Sequence, residues 1–422
     1  MNAPSEETLY DAIVVGAGPA GCSTALFLSR AGRRVLLLDK AAFPREKVCG
    51  DAISGKSVGV LHELGLISEI GKLPHGTVQG VALIAPNGQE VRVKFSPASG
   101  FDFAGYTLRR VQTDEILFKA ACAAPNVSVG IGCKVSALIR DANGAVEGVE
   151  CETEEKGKTA KHSYRARVVV GADGSGSAVA RHAGLPALPP EHQFMAIRGY
   201  WRGVAGLSDC IELFFIDGVL PGYLWVFPMG DGTANVGLGI LLHDMKKRGV
   251  HVNKILLDAL ANHPSLKQRF ASAKLEGQIG AWIIPNGSFR RQNVGDGWAL
   301  VGDAAALVDP FSGEGFGNAV SSGKFAAQTI ANAIESAPGS SALSASQLAP
   351  YSAMVDEQLR PEMETHYKLQ QASRHRFILN QFITKAATKP EIKKVVQDML
   401  ASDEEKKKAA SPLFYLRLLL PW

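Results

Sequence analysis

Short apolar runs and polar turns alternate through the first forty residues in the order strand, helix, strand. Ala12 to Val15 form an apolar, β-branched run that is typical of a buried parallel strand. Apolar residues then recur at helical spacing from Cys22 to Arg30, and Val35 to Leu38 form a second apolar run. The pattern therefore predicts a βαβ unit whose second strand ends at Asp39.

In two later stretches apolar and polar residues alternate at the spacing of a β-strand, which interrupts the βαβ pattern. Residues 78–95 predict a β-hairpin around Pro86-Asn87-Gly88, and residues 194–240 predict an aromatic-rich antiparallel sheet. Helices are predicted over 56–64, 108–124, 253–273, a stretch that ends near 334, and 351–400. Thr113 is expected to cap the 108–124 helix, and the charged run 154–162 is interpreted as a solvated turn.

Composition and charge narrow the class of protein. The chain has 422 residues, and its 45 basic and 41 acidic residues give a net charge of +4, too small and too dispersed to indicate nucleic acid binding. Its six cysteines include no C-x-x-C pair and no Cys/His pair at zinc-ligand spacing, so neither a metal site nor a disulfide framework is expected. The polar N-terminus is unlike a signal peptide, and no apolar run reaches the roughly 18 residues that span a bilayer. These features predict a cytoplasmic location.

A glycine loop follows the first predicted strand directly. Gly16, Gly18 and Gly21 form G-x-G-x-x-G: the first glycine permits the tight turn, the second a close approach to a pyrophosphate, and the third close packing of the helix on the strand. The helix N-terminus adds free N–H groups and a positive dipole end. Asp39, at the tip of the second strand, is placed to accept hydrogen bonds from a ribose. Together these features predict a dinucleotide site.

Two further strand ends carry an aspartate beside a glycine. Asp173-Gly174 follows the run Val168 to Gly171, at the edge where open α/β sheets bind ligands, although a helix-capping aspartate is the alternative. Gly302-Asp303 follows the apolar run Ala299 to Val301. The loop after it, 309–317, is rich in glycine and proline, which favours close approach of its backbone to a flat ligand.

Four features in this order, the 16–21 glycine loop with Asp39, Asp173-Gly174, Gly302-Asp303 and the glycine loop at 313–317, resemble the FAD-dependent family typified by para-hydroxybenzoate hydroxylase. The resemblance implies that the first glycine loop holds the pyrophosphate, Asp39 the adenosine ribose and Asp303 the ribitol. Asp39 stands where the family usually has Glu, and Arg110-x-x-x-Asp114 matches R-x-x-F-D with Thr113 in place of Phe, with Arg109 as the alternative register. The cofactor-binding residues implied are Gly16, Gly18, Pro19, Ala20, Gly21, Asp39, Lys40, Arg45, Cys49, Gly50, Arg110, Val135, Asp173, Gly174, Gly302, Asp303, Pro310, Gly313, Gly315 and Phe316.

A narrower resemblance rests on two short motifs. Pro44 to Asp51 (PREKVCGD) is similar to the P-R-x-K-x-C-G segment of geranylgeranyl reductases, and Tyr223 to Pro228 (YLWVFP) is similar to their Y-x-W-x-F-P motif. By composition alone Cys49 would be a buried small residue, and the aromatic row would be ordinary core packing. The resemblance implies instead that Cys49 is catalytic and that Tyr223, Trp225 and Phe227 line the substrate pocket.

The resemblance also implies a fold. It is an α/β fold with a glutathione-reductase-like Rossmann FAD-binding domain, an antiparallel β-sheet substrate domain and a helical C-terminal appendage. The expected boundaries are 8–75, 105–185 and 285–335 for the discontinuous FAD-binding domain, 76–104 and 186–284 for the substrate-binding domain, and 336–422 for the helical C-terminal region.

The function implied is saturation of carbon–carbon double bonds in a geranylgeranyl-type isoprenoid chain by hydride transfer from reduced FAD. NAD(P)H, another reductant or an electron-donor protein would supply the electrons. The first alternative is a monooxygenase, hydroxylase or halogenase on the same fold, although Tyr223 and Phe227 depart from the W-x-W-x-I-P of halogenases. The second is a non-catalytic carrier of prenylated cargo. The apolar run 411–422 leaves interior packing, a partner and peripheral membrane contact open.

Overall fold

A computed structural model of the chain describes residues 4–95, 105–155, 157–339 and 341–399. The apolar run 411–422, together with the end of the predicted C-terminal region, lies outside these residues. No helix within the described ranges combines the length and the apolar character that crossing a bilayer requires.

Strands and helices are numbered separately in chain order. The strands are β1 Leu9–Tyr10, β2 Ala12–Val15, β3 Val35–Asp39, β4 Ala52–Ile53, β5 Gly76–Val78, β6 Gly80–Ile84, β7 Glu90–Lys94, β8 Gly105–Thr107, β9 Val127–Ile131, β10 Lys134–Arg140, β11 Val146–Glu155, β12 Lys158–Ala166, β13 Val169–Gly171, β14 Gln193–Arg202, β15 Cys210–Phe214, β16 Leu224–Pro228, β17 Thr233–Leu241, β18 Lys274–Pro285, β19 Val294–Gly295 and β20 Trp298–Leu300. The α-helices are α1 Pro19–Arg30, α2 Gly55–Glu63, α3 Ile67–Gly71, α4 Arg110–Ala123, α5 Ala178–His182, α6 Leu242–Arg248, α7 Val252–Asn262, α8 Lys267–Phe270, α9 Phe316–Ser336, α10 Ala345–Gln358, α11 Arg360–Ser373, α12 Arg376–Thr388 and α13 Pro390–Met399.

One sheet of six strands, which we call the nucleotide sheet, has the order β19-β20-β13-β2-β3-β9. The strands from β20 to β9 are parallel, and their register places Val15, Gly171 and Leu300 side by side. Parallel strands end at the same edge of a sheet, so the three segments that follow β2, β13 and β20 meet there. This register brings together three stretches that are far apart in the sequence.

A second sheet, which we call the aromatic sheet, has seven strands in the order β18-β14-β17-β16-β15-β6-β7. The sequence predicts an antiparallel sheet, and the described strands pair in this way except β15 and β6, which are parallel. Helix α7 packs on one face of this sheet, and helix α12 shares an apolar cluster with the opposite face.

Three local predictions are wrong. Helix α4 begins at Arg110, so Thr113 lies buried inside the helix and does not cap it. The charged run 154–162 forms the end of β11 and the start of β12, which pair as an antiparallel hairpin. The helix predicted over 253–273 is divided into α7 and α8, because Pro264 cannot continue a helix.

Candidate functional site

The glycine loop joins β2 to α1 and lies against the turn that follows β13. Gly16 has φ +103°, and a Cβ there would overlap the backbone of Ala172. A Cβ on Gly21 would overlap the carbonyl oxygen of Gly16, so both positions require glycine. Gly18 precedes the helix, and Pro19 at its first position has a φ that suits a helix N-terminus. Pro19 and Ala20 are buried, and the first turn of α1 presents its N–H groups toward this edge.

Asp39 is buried at the end of β3, and its carboxylate organises the same loop. One oxygen, Oδ2, accepts a hydrogen bond of 2.8 Å from the Ala17 N–H, and Oδ1 accepts one of 2.8 Å from the Ala41 N–H. The neighbouring Lys40 is exposed. The sequence prediction that Asp39 binds a ribose is compatible with this position, since a carboxylate oxygen has a second lone pair.

Asp173 caps helix α5 from a distance and keeps one oxygen unpaired. Its Oδ2 accepts hydrogen bonds from the N–H groups of Ala178 at 2.6 Å and Val179 at 3.2 Å, as the capping alternative requires. Its Oδ1 is buried and has no hydrogen-bond partner among the described residues. Burial raises the pKa of this carboxyl group. A buried polar atom without a partner is rare in folded proteins, so Oδ1 fits a place where a bound group supplies the hydrogen.

The third strand end places Asp303 next to the first helix. Gly302 has φ +58°, and a Cβ there would lie 3.0 Å from the Ala20 Cβ, so β20 meets the start of α1 closely. Burial raises the pKa of the Asp303 carboxyl group, and the positive charges of Lys47 and Arg110 oppose that shift. Gly315 lies on its other side, where an added Cβ would be 3.7 Å from Asp303 Oδ1. The glycine loop, Asp173 and Asp303 therefore form one groove whose residues fit FAD.

Two arginines share one buried carboxylate beside this groove. Arg110 donates from Nε and Nη2 to the two oxygens of Asp114 at 2.6 and 2.8 Å, and Arg45 Nη1 lies 3.4 Å from Asp114 Oδ2. Burial disfavours the charge of Arg110, but Asp114 and Cys49 outweigh it and raise the arginine pKa. Arg109, the alternative register, instead pairs with Asp231 at 3.2 Å. The cluster keeps a net positive charge next to the glycine loop.

Cys49 lies between the arginine cluster and the aromatic sheet. Its thiol lies close enough to Arg110 to help raise the pKa of that arginine, and its carbonyl oxygen accepts from Asn235 Nδ2 at 2.8 Å. The side chain is partly exposed, whereas Cys22, Cys133, Cys151 and Cys210 are buried. Cys49 is therefore accessible to a ligand in the groove, as a catalytic role requires.

Tyr223, Trp225 and Phe227 form the predicted row on one face of the aromatic sheet. Ring centroids are 6.3 Å apart from Tyr223 to Trp225 and 6.2 Å apart from Trp225 to Phe227. A Cβ on Gly50 would lie 3.0 Å from Phe227 Cε2, so the Cys49-Gly50 backbone packs directly on the end of this row. The arrangement places the thiol-bearing segment against an apolar aromatic wall.

The loop between β20 and α9 closes the other end of the row. Tyr223 donates a hydrogen bond to the Ser312 carbonyl oxygen, and a Cβ on Gly313 would lie 3.1 Å from the Tyr223 hydroxyl. Pro310 is buried and its carbonyl oxygen accepts from Gln370 Nε2 at 2.5 Å. Phe316, the first residue of α9, lies below Arg110, whose guanidinium carbon is 5.8 Å from the ring centroid.

Helix α11 of the C-terminal region holds the same loop. His366 Nδ1 and Asp309 Oδ2 are 2.6 Å apart in a buried ion pair, and Asp309 Oδ1 accepts from the Ser312 N–H at 2.7 Å. Burial would raise the Asp309 pKa, but His366 outweighs it and lowers the pKa. Leu379 and Ile383 of α12 are buried in the cluster that contains the aromatic row. The C-terminal helices therefore contribute to this site.

Val135 follows the segment that joins the end of β3, because the N–H group of Cys133 donates to the Asp39 carbonyl oxygen at 3.0 Å. Val135 is buried on β10, in a four-stranded sheet of order β1-β12-β11-β10, and pairs with Cys151. Gly174 has φ +78° in the turn that follows Asp173. The role of Val135 toward the cofactor remains a prediction.

Several residues at the site were missed by sequence reasoning. They are Asp51, Arg198, Tyr200 and Asn235, whereas the sequence does indicate Lys47 as a cation that could reach a phosphate. Lys47 Nζ lies 3.4 Å from the centroid of the Trp282 ring, and burial lowers its pKa to about 8 although Asp303 opposes that shift. Asp51 is adjacent to the Cys49 motif and could have been found there. The others are single polar residues in strands, which carry no local signal.

The groove, the aromatic wall and the fold define an FAD-dependent oxidoreductase, and the chain matches the FAD binding domain family over residues 9–236. Residues 207–281 match the geranylgeranyl reductase catalytic domain. The protein therefore belongs to the geranylgeranyl reductase family of FAD-dependent oxidoreductases. This confirms the family, the enzyme class, the mixed α/β FAD-binding fold and the cofactor that the sequence predicts.

Individual relatives agree with this assignment. The chain is 31% identical to menaquinone reductase of Mycobacterium tuberculosis (strain ATCC 25618 / H37Rv) over 76% of each chain. It is 34% identical to digeranylgeranylglycerophospholipid reductase 2 of Methanopyrus kandleri over 77% of this chain and 78% of the relative. A geranylgeranyl bacteriochlorophyll reductase-like protein from Thermoplasma acidophilum superimposes with a TM-score of 0.80 at 25% identity, covering 97% of this chain and 98% of that one.

Proposed function

We propose that this protein reduces carbon–carbon double bonds in the isoprenoid chain of a lipid, by hydride transfer from reduced FAD. One observation carries the proposal: the Cys49-Gly50 segment at the edge of the FAD groove packs on the aromatic row that ends at Phe227. A donor of protons and an apolar wall thus lie on the same side of the groove. The named relatives act on menaquinone and on a digeranylgeranyl lipid, and both substrates carry isoprenoid chains.

Each part of the site would have a separate task. Bound FAD, once reduced, supplies the hydride that an unpolarised double bond needs. Tyr223, Trp225 and Phe227 would hold the chain, and burial of each CH₂ group contributes about 0.8 kcal/mol. The same rings would exclude water from the reacting carbons. The Cys49 thiol would hold the proton for the second carbon, beside the positive charge of Arg110.

Other parts of the proposal concern partners. Electrons would come from NAD(P)H or from an electron-donor protein, and the substrate would be a small apolar molecule rather than a macromolecule. A substrate of this kind resides in a lipid bilayer, so peripheral membrane contact is part of the proposal.

The direct test is to reduce the purified flavoprotein under anaerobic conditions and to add candidate oxidants one at a time. Flavin absorbance near its oxidised maximum should return with an isoprenoid lipid that carries no quinone, such as a geranylgeranyl compound, and mass spectrometry should show a gain of two hydrogens per bond. The fully saturated phytanyl analogue is the control and should leave the flavin reduced. Reoxidation by O₂ alone, with a hydroxylated product, would support the monooxygenase alternative instead.

A second prediction concerns the contact between Gly50 and Phe227. Gly50→Ala is expected to raise KM for an isoprenoid substrate roughly tenfold with FAD retained, since an added Cβ lies 3.0 Å from Phe227 Cε2 and overpacking costs about 1–3 kcal/mol. The control is Gly59→Ala in α2, where an added Cβ meets nothing within 4 Å. Steady-state kinetics should separate the two variants, and equal KM values would show that Phe227 does not contact the chain.

A further inference from the structure

Asn235 is a fully buried side chain in β17, opposite Phe227 of the aromatic row on the neighbouring strand β16. Its Oδ1 accepts a hydrogen bond of 2.9 Å from the indole Nε1 of Trp225. Its Nδ2 donates to the carbonyl oxygen of Cys49 at 2.8 Å and to Asp51 Oδ2 at 2.8 Å. An amide group has two hydrogens to donate, and both are used here. Rotation of the amide would break all three bonds, so its orientation is fixed.

The turn that Asn235 holds has an uncommon backbone conformation. Asp51 is 1% exposed and has φ +66°, a backbone region that residues other than glycine rarely adopt. Its carboxylate also accepts from the Tyr200 hydroxyl at 2.6 Å and from the Arg110 N–H at 3.2 Å. A residue keeps such an unfavourable backbone conformation only where neighbouring groups hold it. Here the hydrogen bonds to the Asp51 carboxylate hold it.

Arg198 of β14 holds the preceding residues of the same segment. Its Nε lies 3.3 Å from the Cys49 carbonyl oxygen, and its Nη2 lies 3.2 Å from the Lys47 carbonyl oxygen. The Cys49 carbonyl oxygen therefore accepts two hydrogen bonds, and the one from the Asn235 amide is the shorter. Asn235 is hydrogen-bonded both to this segment and to Trp225.

We infer that Asn235 is a positioning residue that couples Trp225 to Cys49. One amide group fixes the position of the Trp225 indole relative to the segment that carries the Cys49 thiol. The indole is the group that would face the substrate chain. A disturbance at Trp225 is therefore felt at Cys49, and the coupling is lost when the amide is removed. The inference deepens the proposed function, because it gives that reaction a residue which touches neither flavin nor substrate.

The experiment measures the rate at which iodoacetamide alkylates Cys49 in the resting FAD-loaded enzyme, with peptide mass spectrometry to separate it from the other five cysteines. Asn235→Ala is expected to change this rate at least about fivefold, because a lost buried hydrogen bond to the segment is worth that factor or more. Trp225→Phe, which keeps a ring but removes the indole N–H, should also change the rate. In the double variant the effect of Trp225→Phe should vanish, since the path between the two residues is already cut.

Asn235→Leu, which keeps the number of side-chain heavy atoms and the branch at Cγ, serves as a second variant where alanine leaves the protein unfolded, and it should show the same loss of coupling. Asn293→Ala is the matched control, because Asn293 is a buried amide whose Oδ1 accepts from Ser352 Oγ at 2.5 Å, outside this network. Wild-type alkylation of Cys49 in both Asn235 variants, or additive effects in the double variant, would overturn the inference.

The alkylation assay requires no isoprenoid turnover, so it can fail or succeed independently of the proposed function. Coupling without any isoprenoid-dependent reoxidation of the flavin would retain the positioning role and remove the proposed reaction. Where turnover is present, the Asn235 variants should lower kcat more than they raise KM, because the change acts on the proton-bearing segment.

Discussion

Replacing Asp303 with alanine is expected to give a protein that purifies with little or no FAD. The carboxyl group is partly buried just beyond the end of β20, close to the N-terminal turn of α1 and to the loop before α9. At this position a carboxylate can accept hydrogen bonds from the sugar-like ribitol chain, as the family resemblance implies. Hydrogen bonds to a charged group contribute about 1.5–3 kcal/mol, so affinity should fall roughly tenfold to a hundredfold or more.

The ratio of flavin absorbance to protein absorbance in the purified variant measures this effect. Asp296→Ala is a suitable control, since Asp296 precedes the opposite end of β20, is exposed, and accepts from the Ala345 N–H at 2.7 Å. The control should retain a full complement of FAD. Full flavin absorbance in Asp303→Ala would show that this carboxylate does not hold the cofactor.

The Cys49→Ala variant is expected to bind FAD normally and to lose alkene reduction. The thiol is partly exposed beside Arg110, so its removal should not disturb the glycine loop or the three strand ends. A positioned general acid contributes typically 10²–10⁴-fold to a proton-transfer step. We therefore expect the rate of flavin reoxidation by an isoprenoid to fall at least about a hundredfold.

Anaerobic single-turnover kinetics isolate this step from reduction of the flavin. Cys122→Ala is the matched control, because Cys122 is also a partly exposed free cysteine but lies near the end of helix α4. Turnover by Cys49→Ala at the wild-type rate would exclude the thiol as the proton donor and leave an ordered water in that role.

Local sequence patterns were sufficient where neighbouring residues determine the structure. The strand, glycine loop, helix and second strand from Ala12 to Asp39 form as predicted, because apolar periodicity and the three glycines specify them within thirty residues. The alternation of Tyr223, Trp225 and Phe227 likewise fixes one face of a strand. The family resemblance and FAD binding followed from these short motifs.

The predictions were wrong where contacts with residues far away in the sequence, rather than neighbouring residues, determine the local structure. Helix α4 starts at Arg110 because its N–H group is satisfied by Asp51 Oδ1 at 3.2 Å, a partner 59 positions away, so the local candidate Thr113 was not needed as a cap. Residues 154–155 and 158–162 form strands because they find cross-strand partners, such as Glu155 opposite Lys158. Charge predicts exposure, but it does not predict whether the backbone has a pairing strand.

The sequence by itself determined which segments can bind FAD and which aromatic side chains share a face, since both properties depend on residues within a few positions of each other. Only the tertiary structure decided that Val15, Gly171 and Leu300 lie side by side and that Asn235 joins Trp225 to Cys49. Strand order and register depend on contacts between residues far apart in the chain, and a single polar residue in a strand carries no local sign of its partners. The Cys49 segment owes its position to those distant contacts.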